Sequence, residues 1–245
     1  MRILLIGCEM LTRELCDAVA HAPHQVDLRT LSSDLHDRAG ATLRDRLQRE
    51  IDAADACAYE TIALGYALCG NGLSGLTARS LPLVVPRAHD CITLLMGSRS
   101  TFNRAFHDNP GVYYRSIGWI ERGRKSTPRV RDDRGESITR ESLVERYGEA
   151  DGSYLYQELT SYRSHYSQLT YIRTELDLDS LQEGEARAEA AEHGWRFEVQ
   201  AGDLNLFRRL VADPWDAEAF LVVPPGHRIV PSYDDMIIRA EAAAP

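Results

Sequence analysis

Long apolar runs are missing from this 245-residue chain, since none approaches the roughly 20 residues that a bilayer span needs. The opening MRILLIGCEM passes straight into polar sequence, so neither a membrane span nor a signal peptide is expected, and a cytoplasmic location follows. Positive charge is also short: 28 Lys and Arg face 37 Asp and Glu, a formal net charge of -9. Nucleic acids and anionic membranes require clustered cations, so neither is an expected partner. A small molecule or another protein is favoured. Several catalytic signatures are absent as well. GCEMLTRE carries one glycine where a dinucleotide fingerprint needs three, and no Walker loop, H-E-x-x-H or G-x-S-x-G follows, so NAD and ATP are not expected. Cysteine is sparse, at five residues (Cys8, Cys16, Cys57, Cys69 and Cys91). In a reducing compartment these do not make a disulfide framework; they are expected as thiols, buried or metal-bound.

What is present is an alternation of strand and helix patterns. RILLIG reads as a buried strand and MLTRELCDAVAHA as a helix with Leu11, Leu15 and Val19 on one face. QVDLRTL, TIALGYAL and LPLVVPRAHDC give three more strands, with AGATLRDRLQREIDAA as an amphipathic helix and GLSGLTA as a short one. Such alternation predicts a parallel sheet with helices on its faces. From residue 98 to 168 the chain turns charged, turn-rich and then helical, with many tyrosines and VYYRSIGW as an edge strand. LTYIRT, SLQEGEARAEAAEHG, WRFEVQ, LNLFRRLVAD and AFLVVPPGH then resume the strand and helix order. The predicted fold is therefore α/β. It has two Rossmann-like parallel-sheet halves related by internal duplication, residues 1–97 and 169–245, around a helical, Tyr-rich insertion or lid at 98–168.

Ligands of open α/β sheets bind beyond the carboxyl ends of the strands. Cys8 follows RILLIG, Cys69 follows TIALGYAL and Cys91 follows LPLVVPRAHD, so three thiols are expected to meet at one sheet edge. Three thiolates suit zinc, which keeps a fourth position open in catalytic sites, or a 4Fe-4S cluster with one open iron. Gly70, Asn71 and Gly72 of the turn would let backbone N–H groups approach sulfur or substrate. Arg87 would hold an anionic substrate group, and His89 would shuttle a proton. Glu9 is a candidate base. If the second half repeats the first, His227 falls where Cys69 sits and is a fourth ligand or acid-base. Cys16 and Cys57 read as core or inert residues. A single reactive cysteine, or thiols that merely pack, are the alternatives for the trio.

The combination of RILLIGCEM, LGYALCGNGLSGL, PRAHDCITLLMGS, PGVYYRSIGW, GDLNLFRRLV and FLVVPPGHRIVPSYDD resembles the family catalogued as domain of unknown function 1638, over nearly the whole chain. The resemblance brings no assigned reaction. It implies a setting beside corrinoid-dependent methyltransferase systems for methylated amines and related compounds, where zinc-thiolate sites activate thiol acceptors. The leading expectation is thus a cytoplasmic metalloprotein of one-carbon or methylated-compound metabolism, acting in metal-dependent methyl transfer with a corrinoid or methyltransferase protein as partner. The alternatives are an iron-sulfur lyase or dehydratase, and a non-catalytic metallochaperone or corrinoid-protein partner.

Overall fold

The computed structural model describes residues 1–36, 41–123, 138–161 and 165–243. The charged stretch RKSTPRVRDDRGES and Tyr162 lie outside the described residues. The chain forms two compact units: Met1–His107 with Thr174–Leu176 and Ala201–Pro245, and Asp108–Arg173 with Asp177–Gln200. Among the described residues no helix is long and apolar enough to cross a membrane.

The first unit is built on β1 (Arg2–Cys8), β2 (Gln25–Leu31), β3 (Thr61–Gly65) and β4 (Leu83–Pro86), in the order β2-β1-β3-β4. All adjacent pairs of these four run parallel; Ile3 faces Val26 on one side and Thr61 on the other. Continuous apolar runs suit strands covered on both faces, and β3, β4 and all but the first residue of β1 are buried. Edge strand β2 alternates, with QVDLRTL half-exposed. The helix α1 (Thr12–His21) lays Leu15 and Ala18 against the sheet. It sits close because the facing residues of β1 and β3 are Gly7 and Gly65: a Cβ on either would lie 2.3 or 2.6 Å from Leu15. The next helix, α2 (Ala41–Asp52), buries Leu43, Leu47 and Ile51 at intervals of four. The short α3 (Cys91–Leu95) and α4 (Arg99–Asp108) follow β4. GLSGLTA, expected as a helix, is a run of turns. Gly75 at φ 91° interrupts it, and a left-handed residue cannot continue a helix.

In the second unit, β5 (Val112–Arg115), β6 (Gln168–Arg173) and β7 (Arg196–Ala201) form a sheet in the order β5-β6-β7, with β5 parallel to β6. VYYR is thus an edge strand, as expected. The intervening helices are α5 (Ile117–Glu121), α6 (Arg140–Tyr147) and α7 (Glu149–Thr160), followed by α8 (Leu181–His193) between β6 and β7. Leu169, Tyr171, Ala186 and Ala190 form the core between β6 and α8.

The internal duplication is not what the topology shows. Residues 177–200 belong with β5 and β6 in the second unit, whereas residues 201–245 return to the first. There α9 (Asn205–Leu210) packs on α1, its Arg208 bonding both oxygens of Asp17 at 2.8 and 3.1 Å. The strand β8 (Phe220–Val223) adds to β4 antiparallel, and β9 (His227–Pro231) with β10 (Ile238–Ala242) makes a separate hairpin. An apolar run specifies a buried strand but not its direction, and direction is where the duplication fails.

Candidate functional site

From β1 the chain moves outward to β2, and from β3 it moves the other way to β4, so the order reverses between β1 and β3. Open α/β sheets take ligands beyond the strands' carboxyl ends at such a reversal. Cys8 is the last residue of β1. Beyond β3, Leu68 and Cys69 donate their backbone N–H groups to Ala88 and His89 at 2.9 Å each, so the chain stays paired past the sheet. Cys69 is thereby held two residues from Cys91, the first residue of α3. Its own backbone sits at φ 47°, with Gly70 at 63° and Asn71 at 69°. Two non-glycine residues in the left-handed region carry strain of order 1 kcal/mol each, a cost that clusters at functional sites.

The electrostatics gather the same residues. Burial pushes the Cys69 thiol up to about 12, partly opposed by a backbone hydrogen bond from Ala67 and reinforced by Cys8 and Asp90. Burial also lifts Cys91 well above the ordinary thiol value, with Cys69, Asp90 and Cys8 adding to it. Tyr66, buried at the end of β3, is raised by burial and then by Cys8, Cys69 and Glu9. Cys8 acts on Tyr66, Cys69 and Cys91, and Asp90 on Cys69 and Cys91, which places these groups in one neighbourhood. All five cysteines of the chain are thiols. Among the described residues no group of three or more His, Cys, Asp or Glu side chains is placed to hold a metal ion as it stands.

The remaining expected site residues divide. Glu9 follows Cys8, but its Oε1 accepts from the Ser33 N–H at 2.7 Å and hydroxyl at 2.8 Å, which ties it to the segment after β2. Asp90, between His89 and Cys91, caps α3: its Oδ1 accepts from the N–H groups of Ile92 and Thr93 at 3.1 and 3.2 Å. His89 is exposed at this edge, as are Gly70 and Asn71, whereas Gly72 packs against Leu43 of α2. Arg87 follows β4 directly, with its guanidinium bonded to backbone carbonyls of Ala217, Phe220, Met236 and Ile238. Cys16 and Cys57 are exposed rather than core.

His227 is displaced from the cysteines altogether. Because β8 runs against β4, with Val223 opposite Leu83, the chain leaves β8 at the amino end of β4. His227 there accepts the Ala78 N–H on its carbonyl at 2.9 Å, on the approach to β4. It stands at the opposite end of the sheet and is no fourth ligand. Sequence reasoning missed Tyr66, which it placed inside the strand TIALGYAL, whereas β3 ends at Gly65 and Tyr66 directly follows it. It also missed the cap, whose signal was an Asp immediately before the helical CITLL.

Among protein families, the one described as protein of unknown function (DUF1638) matches residues 30–211. No curated protein and no solved structure matches the chain.

Proposed function

The chain belongs to the DUF1638 family, and we propose that it is a cytoplasmic metal-binding protein whose Cys8, Cys69 and Cys91 take zinc or an iron-sulfur cluster at the switch point of the first sheet. The observation that carries this reading is the reversal of strand order between β1 and β3, with Cys8, Cys69 and Cys91 at that edge and near enough that Cys69 and Cys8 add to the burial that raises Cys91. A lone nucleophilic cysteine needs the reverse, a pKa lowered by positive surroundings. At neutral pH Cys69 is a thiol, and forming several thiolates side by side requires a cation among them. The present side-chain placement is not a ligand set, so capture must deprotonate the thiols and draw the sulfurs together. The strained turn at Cys69–Asn71 and the first residue of α3 supply two of those sulfurs from short, adjustable segments. His89 and the Gly70–Asn71 backbone, exposed at the same edge, would meet a small substrate.

A zinc so held would keep a fourth position for a small thiol and lower that thiol's pKa. With the methylated-compound setting that the family resemblance implies, this reads as methyl transfer in one-carbon metabolism with a corrinoid or methyltransferase protein as partner. An iron-sulfur lyase, or a metallochaperone without turnover, would use the same thiols. Proton release tests the site itself. Because the thiols start protonated, adding zinc at pH 7.5 to the metal-free chain should liberate about three protons per zinc bound. Binding without proton release, or no binding, would overturn the reading.

A further inference from the structure

The first unit holds a cleft of about 430 Å³ on the β4 and β8 side. Of the three guanidiniums that line it, Arg87 and Arg99, both half-buried, carry the argument. Neither has a carboxylate at ion-pair distance among the described residues. They are fixed instead by backbone carbonyls. Arg87 donates to Ala217 at 2.8 Å, to Met236 at 2.9 Å and also to Ile238, and Arg99 donates to Asp235. A carbonyl orients a guanidinium without cancelling its charge. Burial and then the charge of Arg99 hold the pKa of Arg87 below its ordinary value, opposed in part by Asp234, so the two guanidiniums lie close enough to feel each other's charge.

The loop that presents these carbonyls is itself strained. Ile237 is buried at φ 65°, a conformation in which a β-branched residue is a genuine outlier. Such strain persists where surrounding structure enforces it, commonly at ligand clamps. The outer wall has the opposite sign. Glu218 and Asp235 are exposed at the same cleft, and neither carboxylate has an ion-pair partner among the described residues. Arg209 and Asp216, also lining it, are paired with each other. The cleft is therefore cationic inside and acidic at the rim.

We infer that this cleft binds a small amino-carboxylate zwitterion, its carboxylate against Arg87 and Arg99 and its ammonium toward Glu218 and Asp235. Paired guanidiniums recognise a carboxylate through several charge-assisted hydrogen bonds. A polyanion would meet the two rim carboxylates, which disfavours it. The volume lies in the range of small-ligand pockets. The inference is independent of any metal at the cysteines.

Calorimetric titration of the full metal-free chain tests it. The probes are glycine, β-alanine and 4-aminobutyrate, with propionate and propylamine as the single-charge halves and inorganic phosphate as the competing anion. At least one zwitterion should bind about tenfold more tightly than either half. Arg99→Ala should weaken both the zwitterion and propionate by about tenfold or more, while Glu218→Gln should weaken the zwitterion and leave propionate unchanged. Both positions are outside the core, and circular dichroism checks that each variant is folded. Tightest binding by phosphate, equal affinity for zwitterion and propionate, or no binding by any probe would overturn the inference.

Discussion

The two units treat polar groups at their sheets in opposite ways. In the second unit, ionic and polar groups near the strands compensate one another: Arg115 on β5 is buried and pairs with Glu189 on α8 at 2.7 Å, and the Gln168 amide donates to Thr170 and Glu198 at 2.7 and 2.9 Å. The second unit contains no cysteine. At the carboxyl edge of the first unit stand Cys8, Tyr66, Cys69 and Cys91, and burial first, then nearby acidic groups, makes Tyr66, Cys69 and Cys91 harder to ionise. Opposite charges brought together stabilise a fold once desolvation is overcome. Thiols held protonated by burial are neutral and have no such pairing among themselves, a contrast that the proposed metal site would account for.

Breaking the compensated side should have the largest effect. Arg115→Ala leaves Glu189 without its guanidinium and should cost about 3–5 kcal/mol in urea unfolding, whereas the paired Arg115→Met with Glu189→Leu should recover most of it. Equal losses in the single and double variants would erase the contrast between the units. Next comes the seat of the thiol edge. Gly7→Ala would put a Cβ 2.3 Å from the Leu15 Cδ1, and overpacking of that kind costs about 1–3 kcal/mol. Adding Leu15→Ala should relieve the clash and reveal only the cavity cost.

The comparison also predicts a gain. Cys69→Gly relaxes a left-handed residue and should stabilise the metal-free chain by about 1 kcal/mol while abolishing metal retention. A loss of stability would make Cys69 a packing residue like any other. The smallest effect, absent at neutral pH, is alkaline. Burial raises Cys69 from 9.0 to about 12, so its proton is held more tightly in the folded state. Its contribution is fully present below pH 9, and stability falls as pH rises from there towards 12. In Cys69→Ser that decline should be shallower, as read by chemical denaturation at several pH values.

Much of this fold was legible in the sequence. RILLIG, QVDLRTL, LTYIRT and WRFEVQ are strands where expected, and SLQEGEARAEAAEH is a helix that stops at Gly194, φ 69°. Each is encoded locally, by apolar spacing or by a left-handed glycine. Strand direction and order are encoded by packing between distant segments, so the antiparallel β8 was not legible. His227 was placed beside Cys69 for that reason alone. That the ends of β1, β3 and β4 fall on one edge was legible, because a parallel sheet puts all its strand ends there. The carbonyl anchors of Arg87 were not, since they come from residues more than a hundred positions away.

The central claim, that the three edge thiols bind a metal together, is tested most directly by metal content. The chain and its variants would be prepared anaerobically with zinc and iron both supplied, and metals counted per chain. The account predicts about one zinc, or one cluster's worth of iron, in the natural chain and in the Cys16→Ala, Cys57→Ala double variant, and none in Cys69→Ala. A metal-free natural chain, or undiminished metal in a folded Cys69→Ala, would contradict it.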